Sequence, residues 1–442
     1  MHYAPMLRSG HIVMLCVLAL LTLGVVMVNS ALMTVAPIDS HGNHIAGITP
    51  RSIMLSKSTL YMAFSLGAMG IAYWLPIRGL SRLATNRVLH DSHPTAGLPL
   101  LILATLGLLG VLALVYMPMI GVNRYGASRW IKLGPGITLQ PSEIVKWAFL
   151  IVIAWYGAVR ARWISTFRLG LLPALCSIGL VCSLIVLEDL GTGVLIAAVA
   201  SVVLLAAGVR LRHFALFIPV GLAGIAAAII TSPYRVKRIL AFLDPFADPQ
   251  GIGFHMIQSM AAIAGGHGPG RGLGHGFQKF GYLPEDNTDF LYAIVCEELG
   301  LMGAALVLVL YGILLWIGLG IVRREQDRFL KLLGLGIITT IGIQTILNLF
   351  VVTGMAPTKG IALPLMSSGG TGWILTAACL GLLAAMDRTQ PEERHAHNTP
   401  NADNPSLGLA LGKPRITVNL EPAHAPAHAP AHAPAHAPAS PS

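Results

Sequence analysis

The chain has 442 residues, of which 55% are hydrophobic and only 11% are charged. Soluble domains carry about 25% charged residues, so this composition excludes an ordinary soluble protein and predicts a membrane protein with many spans. The formal net charge of +10 is interpreted as the excess of basic residues that cytoplasmic loops carry, and no nucleic-acid partner is expected.

Ten apolar segments are predicted to cross the membrane as helices, because roughly 20 apolar residues span a bilayer. They are residues 11–33, 58–75, 98–120, 144–159, 169–187, 191–208, 214–230, 290–322, 330–352 and 370–386. The first run is too long for a signal peptide and no clean small-residue cleavage site follows it, so we predict that it is retained. The sequence thus predicts an all-α polytopic membrane protein of about ten transmembrane helices, with the membrane domain over residues 1–388.

Basic residues predict the orientation of these helices. Alternate short loops are rich in arginine and lysine, which is typical of cytoplasmic loops. These loops are all cytoplasmic if both chain termini are cytoplasmic. These loops contain Arg78, Arg82, Arg87, Arg160, Arg162, Arg168, Arg210, Arg212, Arg323, Arg324, Arg328 and Lys331. Two loops on the opposite, outer side are also basic, and this placement suggests anion binding.

Residues 389–442 are predicted to form a disordered cytoplasmic tail. The tail is polar and ends in four AHAP repeats between His424 and Pro438. Proline at every fourth position prevents a helix and a packed core. The five cysteines lie in apolar stretches without metal or disulfide spacing, so we interpret them as small hydrophobic residues.

Two segments on the predicted outer side are short loops that carry charged residues near the ends of predicted spans. Residues 123–146 place Arg129 and Lys132 in a glycine-rich loop, before Glu143 and Lys146 at the start of the fourth span. Glu143 and Lys146 are three residues apart and share a helix face; they form either a local ion pair or the wall of a polar cavity. Asp189 lies between the fifth and sixth spans and is either a helix cap or a substrate contact.

Two further outer segments have irregular, glycine-rich sequences. The loop over residues 231–288 is long and contains the cluster GGHGPGRGLGHG, which is typical of a functional loop but matches neither a Walker A nor a dinucleotide motif. Residues 357–372, PTKGIALPLMSSGGTG, interrupt the apolar pattern before the last span. Such backbone is tolerated at a membrane where it is buried in protein or lines a cavity.

One carboxylate lies at the step between these polar segments and the eighth span. Residues 281–300 read GYLPEDNTDFLYAIVCEELG, and the chain becomes apolar from Phe290 onward. An acid at this boundary is costly unless it is used. Asp289 is therefore either a helix cap or a functional carboxylate.

Four groups of residues occur in one order along the chain: GASRWIKLG with QPSEIVK, then EDLGT, then PYRVKRILAFLDPFADPQGIGFHMIQSMAAI, then GLGHGFQKFGYLPEDNTDFLYAIVCEELG. Together they resemble the SEDS family, which contains the bacterial cell-wall polymerases FtsW and RodA, over about residues 124–386. The pattern GLGxxxQKxxYLPE resembles the division type, FtsW, more than the elongation type. Two departures are Asn287, where the family has histidine, and SSGGTG at residues 367–372, where it has SYGGSS.

This resemblance implies a peptidoglycan glycosyltransferase that uses lipid II, with Asp289 as its catalytic residue. Joining sugars with inversion needs one base to accept the hydroxyl proton and cations near the departing pyrophosphate. The predicted substrate-binding residues are Arg129, Lys132, Glu143, Lys146, Asp189, Arg235, Arg238, Gln258, Lys279, Glu285, Thr288, Glu298, Ser367 and Ser368. A divalent cation, magnesium or manganese, is a candidate cofactor.

The resemblance also implies partners and a location. We expect lipid II and the nascent glycan as ligands, a class B penicillin-binding protein as transpeptidase partner, and other membrane proteins of the division machinery. The expected location is the bacterial inner membrane at the division septum. A lipid II flippase, an elongation-type polymerase and a non-catalytic scaffold remain as alternative functions.

Overall fold

The computed structural model describes residues 8–32, 50–89, 93, 95–117, 121–124, 127–134, 137–279, 283, 288–368 and 370–390. The predicted tail, Glu285 and Asn287 lie outside the described residues. The helices are α1 (Ser9–Ala31), α2 (Pro50–Met54), α3 (Lys57–Trp74), α4 (Ile77–Leu89), α5 (Leu98–Ala113), α6 (Pro141–Val159), α7 (Leu172–Glu188), α8 (Leu190–Ala206), α9 (Leu211–Ala215), α10 (Ile218–Ile230), α11 (Pro233–Leu243), α12 (Phe254–Gly265), α13 (Leu291–Arg324), α14 (Arg328–Val352) and α15 (Thr371–Thr389). The predicted helical fold class is confirmed.

A helix lies at each of the ten predicted segments; the ends differ by up to four residues, except that α5 ends at Ala113, seven residues before the predicted end at residue 120. Within the described ranges, seven helices are long and apolar enough to cross a membrane, or eight if α3 and α4, which meet at a bend of 66°, count as one broken span. Helix α8 is apolar but has only 17 residues. The protein is therefore a multi-pass membrane protein, whereas the number of ten spans stays a prediction.

Contacts between distant residues sort the helix ends into two faces. At one face, the Gly10 amide near the start of α1 donates to Asp387 Oδ2 at 2.9 Å near the end of α15. At the other face, Ser30 near the end of α1 bonds Glu298 on α13. We call the first face inner and the second outer, following the predicted orientation.

A small sheet that the sequence analysis missed precedes α6 on the outer side. Strands β1 (Gly121–Arg124), β2 (Ala127–Gly134) and β3 (Ile137–Leu139) pair antiparallel in the order β1-β2-β3. Ile131 on β2 is buried and pairs with Leu139. The predicted glycine-rich loop thus contains, within its described residues, a short three-stranded sheet.

Helix α14 lies at the centre of the helices that carry the outer site. It packs against α6, α8, α13 and α15. Gly336 allows one of these contacts, because a side chain there would meet Leu150 of α6 at 2.1 Å. The polar residues of α14 are consequently held between several elements at once.

Candidate active site at the outer face

Asp289 lies two residues before the first residue of α13, beside the C-terminal part of α14. Its side chain is half-buried, and its backbone carbonyl accepts a hydrogen bond of 2.8 Å from Asn348 Nδ2 of α14. The following residue, Phe290, is buried and stacks on His255 of α12 with 6.0 Å between ring centroids. The carboxylate is therefore carried by backbone that two neighbouring helices hold in place.

Residues 358–362, which we call the outer strap, pass beside the same helix. Asn348 Nδ2 donates to the Ile361 carbonyl at 2.7 Å, and Gln344 Nε2, one turn earlier, donates to the Ala362 carbonyl at 2.9 Å. Arg238 of α11 donates to the Thr358 carbonyl at 3.1 Å. Side chains thus replace the helical hydrogen bonds that this irregular backbone lacks.

Asp189 caps α8 and also faces the outer strap. Its carboxylate accepts hydrogen bonds from the Thr192 amide at 3.1 Å and the Thr192 hydroxyl at 2.9 Å. Burial lowers the pKa of Lys359 on the strap, and the negative charge of Asp189 opposes that decrease. The sequence analysis did not identify Lys359 as a site residue. Its position inside a Pro- and Gly-rich segment at the membrane edge is the signal that could have identified it.

Lys146 and Glu143 form the ion pair that their spacing allows. Lys146 Nζ lies 2.9 Å and 2.8 Å from the two carboxylate oxygens of Glu143. It also donates to Gln344 Oε1 at 3.3 Å. Lys146 is buried, so its ammonium group does not face bulk solvent. The ion pair is instead connected to Gln344, the residue that holds the outer strap.

The guanidinium groups of Arg235 and Arg238 bind backbone oxygens. Arg235 donates to the carbonyls of Ala228 at 2.9 Å and Leu187 at 3.1 Å, near the C-terminal ends of α10 and α7. Arginine at such an end is favourable because the last helical carbonyls lack partners. Arg238 bonds the strap and lies over the Tyr234 ring, 4.5 Å from its centroid.

Lys279 and Glu298 are fully buried and paired with each other. Lys279 Nζ lies 2.7 Å from Glu298 Oε1, and each side chain has 0% exposure. Glu298 also accepts from the amides of Gly274 at 3.0 Å and Gly276 at 3.3 Å. The predicted contact of Lys279 and Glu298 with substrate stays a prediction; in the structure both charges are used inside the protein.

The glycine cluster packs against a break in α13. Gly300 has φ +62° and interrupts the helix. The amide of Arg271 bonds the Glu297 carbonyl at 3.0 Å, and the Leu301 amide bonds the Gly268 carbonyl at 3.1 Å. The cluster therefore acts as a backbone partner for an opened helix turn, and the close approach requires glycine at Gly270, where a Cβ would lie 2.5 Å from the Glu298 carbonyl oxygen.

The remaining predicted site residues lie on several different segments. Ser367 is buried, and its hydroxyl accepts from the Leu363 amide at 3.0 Å; Ser368, Gln258 and Thr288 are half-buried. Arg129 and Lys132 lie on β2. The described residues contain no group of three or more His, Cys, Asp or Glu side chains that could hold a metal.

Comparison with known proteins assigns the family. Residues 97–392 match the FtsW, RodA and SpoVE family of cell cycle proteins. Stage V sporulation protein E of Bacillus subtilis is 40% identical over 282 residues, which cover 63% of this chain and 76% of that protein. The probable peptidoglycan glycosyltransferase FtsW of Thioalkalivibrio sulfidiphilus is 37% identical over 391 residues, 86% of this chain and 89% of the relative.

Solved structures agree with the fold. A chain of a peptidoglycan synthase complex, described as coordinating polymerization and crosslinking, is similar with a TM-score of 0.60 and 26% identity over 86% of this chain and 98% of its own length. The rod shape determining protein RodA of Thermus thermophilus is similar with a TM-score of 0.55 and 23% identity, over 86% and 97% of the two chains. This chain belongs to the FtsW, RodA and SpoVE family.

Proposed function

We propose that this chain polymerises lipid II into glycan strands at the outer face of the cytoplasmic membrane, with Asp289 as the general base. Relatives named as probable peptidoglycan glycosyltransferases support the enzyme class. The relative from Geobacter sulfurreducens is 35% identical over 85% of this chain and 94% of its own length. On this ground the chain is a peptidoglycan glycosyltransferase.

The chemistry requires one carboxylate. A hydroxyl oxygen of the incoming lipid II forms a bond to the anomeric carbon of the growing glycan, while the bond from that carbon to undecaprenyl pyrophosphate breaks with its electron pair. The hydroxyl proton passes to Asp289, and the linkage changes from α to β. A single inverting displacement needs one base rather than two paired carboxylates.

The single observation that carries this assignment is the placement of Asp289. It is half-buried at the outer boundary, its backbone is fixed by Asn348, and the outer strap with Lys359 is held by the same amide. A cation near the departing pyrophosphate would stabilise the charge that develops there. Lys359, Arg129 and Lys132 are the candidates for this role.

A divalent cation, magnesium or manganese, is compatible with this chemistry. Such an ion binds carboxylate and phosphate oxygens and usually retains several waters. Because the described residues offer no metal cluster of their own, a bound ion would take most of its ligands from the pyrophosphate, with one carboxylate such as Asp189 beside it.

We further propose that the chain works with a class B penicillin-binding protein as transpeptidase, together with other division proteins at the septum. The structural similarity to a complex that couples polymerization to crosslinking supports this partnership. The relatives named FtsW favour a division role. Elongation-type polymerisation is the alternative, because RodA has the same fold.

Polymerisation of labelled lipid II by the purified protein, with its transpeptidase partner present, tests the proposal. The wild type should give a polymer ladder on a gel, and Asp289→Asn should give none. Asp244→Asn is the matched control, because this exposed outer acid accepts a hydrogen bond from the Phe246 amide at 3.0 Å, which asparagine can also accept. Polymer from Asp289→Asn would refute the base; lipid II scrambling without polymer would favour a flippase. The same polymerisation assay with a chelator present tests whether the divalent cation is required.

A further inference from the structure

We infer that Asn348 is a positioning residue that sets Asp289 against the outer strap during glycosyl transfer. This inference rests on the proposed function. Asn348 is one residue of an apolar helix, and the residue is 1% exposed. A buried hydrogen-bond donor in a membrane helix is costly unless its hydrogen bonds are made.

Both amide hydrogens of Asn348 are used, and both go to backbone carbonyls. Nδ2 lies 2.8 Å from the Asp289 oxygen and 2.7 Å from the Ile361 oxygen. Carbonyl oxygens only accept hydrogen bonds, so the amide cannot be turned around without facing its oxygen towards two acceptors. The orientation of Asn348 is therefore fixed by the two segments that it joins.

These two segments have no covalent connection nearby. Asp289 precedes α13, whereas Ile361 belongs to the outer strap after α14, 72 residues later in the sequence. The strap is already anchored on its other sides: Arg238 holds Thr358, Gln344 holds Ala362, and a side chain at Gly191 would meet Ile361 at 3.0 Å. Asn348 transfers this anchoring to Asp289.

A base must lie within hydrogen-bond reach of the proton that it accepts. Misplacement by about 1 Å can reduce a rate by about 100-fold even when the altered residue does not touch the substrate. Loss of the Asn348 bridge would remove the hydrogen bond by which α14 holds the Asp289 backbone. The expected effect falls on the chemical step rather than on lipid II binding.

The test compares Asn348→Leu with the wild type. Leucine has a similar size but no donor, so we expect kcat for lipid II polymerisation to fall by about 10- to 100-fold, with lipid II affinity changed by less than about twofold. Asn348→Ser keeps one short donor and should be intermediate. Thr345→Val is the matched control, because Thr345 is buried on the same helix and bonds neither segment; it should retain wild-type turnover.

Thermal unfolding and a binding assay with labelled lipid II separate positioning from folding. Wild-type kcat in Asn348→Leu, or an equal loss of binding and turnover, would overturn the inference. If Asn348→Leu does not fold, Asn348→Ser decides, and wild-type kcat in that variant would overturn it. Asp289→Asn is run in parallel: polymer from that variant refutes the base itself, whereas an inactive Asp289→Asn beside an unaffected Asn348→Leu refutes only the bridge.

Discussion

Lys279 and Glu298 form an ion pair with an Nζ–Oε1 distance of 2.7 Å, and water reaches neither side chain. Ser30 of α1 completes the cluster, since its hydroxyl lies 2.9 Å and 2.7 Å from the two Glu298 oxygens and 3.1 Å from Lys279 Nζ. Ser30 is 249 positions from Lys279 and 268 positions from Glu298, so the end of the first helix is joined to a distant part of the chain at one buried ion pair.

Removing the negative charge from this cluster should destabilise the protein strongly. Glu298→Gln removes the negative charge that lies 2.7 Å from the buried Lys279 ammonium, and breaking a buried pair in this way costs about 3–5 kcal/mol. Thermal unfolding in detergent measures the loss. Glu188→Gln is the control, because Glu188 accepts an exposed hydrogen bond from Tyr116 at 3.1 Å; its expected change is below about 0.5 kcal/mol. Wild-type stability of Glu298→Gln, together with weaker lipid II binding, would instead favour the substrate contact that the sequence predicts.

The break in α13 provides a second prediction. Gly300→Ala would place a Cβ 2.3 Å from the Gly270 amide and 2.6 Å from the Gly268 carbonyl, at φ +62°. We expect a loss of about 1–3 kcal/mol from the backbone strain, with the steric overlap adding to it. The unfolding midpoint in detergent is the measurement.

Gly312→Ala is the control on the same helix, because a side chain at Gly312 meets nothing within 4 Å. Alanine is the better helix former, so this variant should be unchanged or more stable by up to about 1 kcal/mol. Equal behaviour of the two alanine variants would show that the close approach of the glycine cluster does not constrain α13.

Lys359 provides a prediction about pH. Burial holds its pKa below the ordinary lysine value of 10.5, so between that lowered pKa and 10.5 the unfolded chain binds more protons than the folded protein. The free energy of unfolding should therefore increase as pH rises through this window. At pH values below this window the lysine is charged in both states, and the cost of burying its charge opposes folding.

Unfolding measured from pH 7 to pH 10.5 tests this sign. The alkaline increase that Lys359 contributes should be absent in Lys359→Met. In Asp189→Asn the window should widen, because Asp189 opposes the decrease in the pKa of Lys359. An amine-selective reagent followed by mass spectrometry gives an independent reading: half-maximal labelling of Lys359 should occur below pH 10.5, the ordinary lysine pKa. Labelling only above that value would contradict the prediction.

The helices could be predicted because their apolar runs are long and local. The predicted eighth span, residues 290–322, differs from α13 (Leu291–Arg324) by one or two residues at each end. The start of α6 was predicted three residues late, although proline in a first helical turn already indicated Pro141. The boundary position of Asp289 was also visible, because it depends only on the local change from polar to apolar sequence.

What could not be predicted depends on pairing between distant segments. The sheet of β1, β2 and β3 has short strands whose register is set by their partners. Asn348 and Gln344 are single polar residues inside an apolar window, and only the fold shows which carbonyls they bond. The glycine cluster was interpreted as a functional loop, but its partner, the broken turn at Gly300, has no signature of its own.

The joining of Ser30 to Glu298 also has a consequence for biogenesis. The two residues are 268 positions apart, so the hydroxyl near the end of the first helix cannot obtain its carboxylate partner until the ribosome has made more than half of the chain. An arrested nascent chain that stops before residue 298 would leave α1 without this contact. This contact at the outer end of the bundle can accordingly form only after the glycine cluster and the start of α13 have been synthesised.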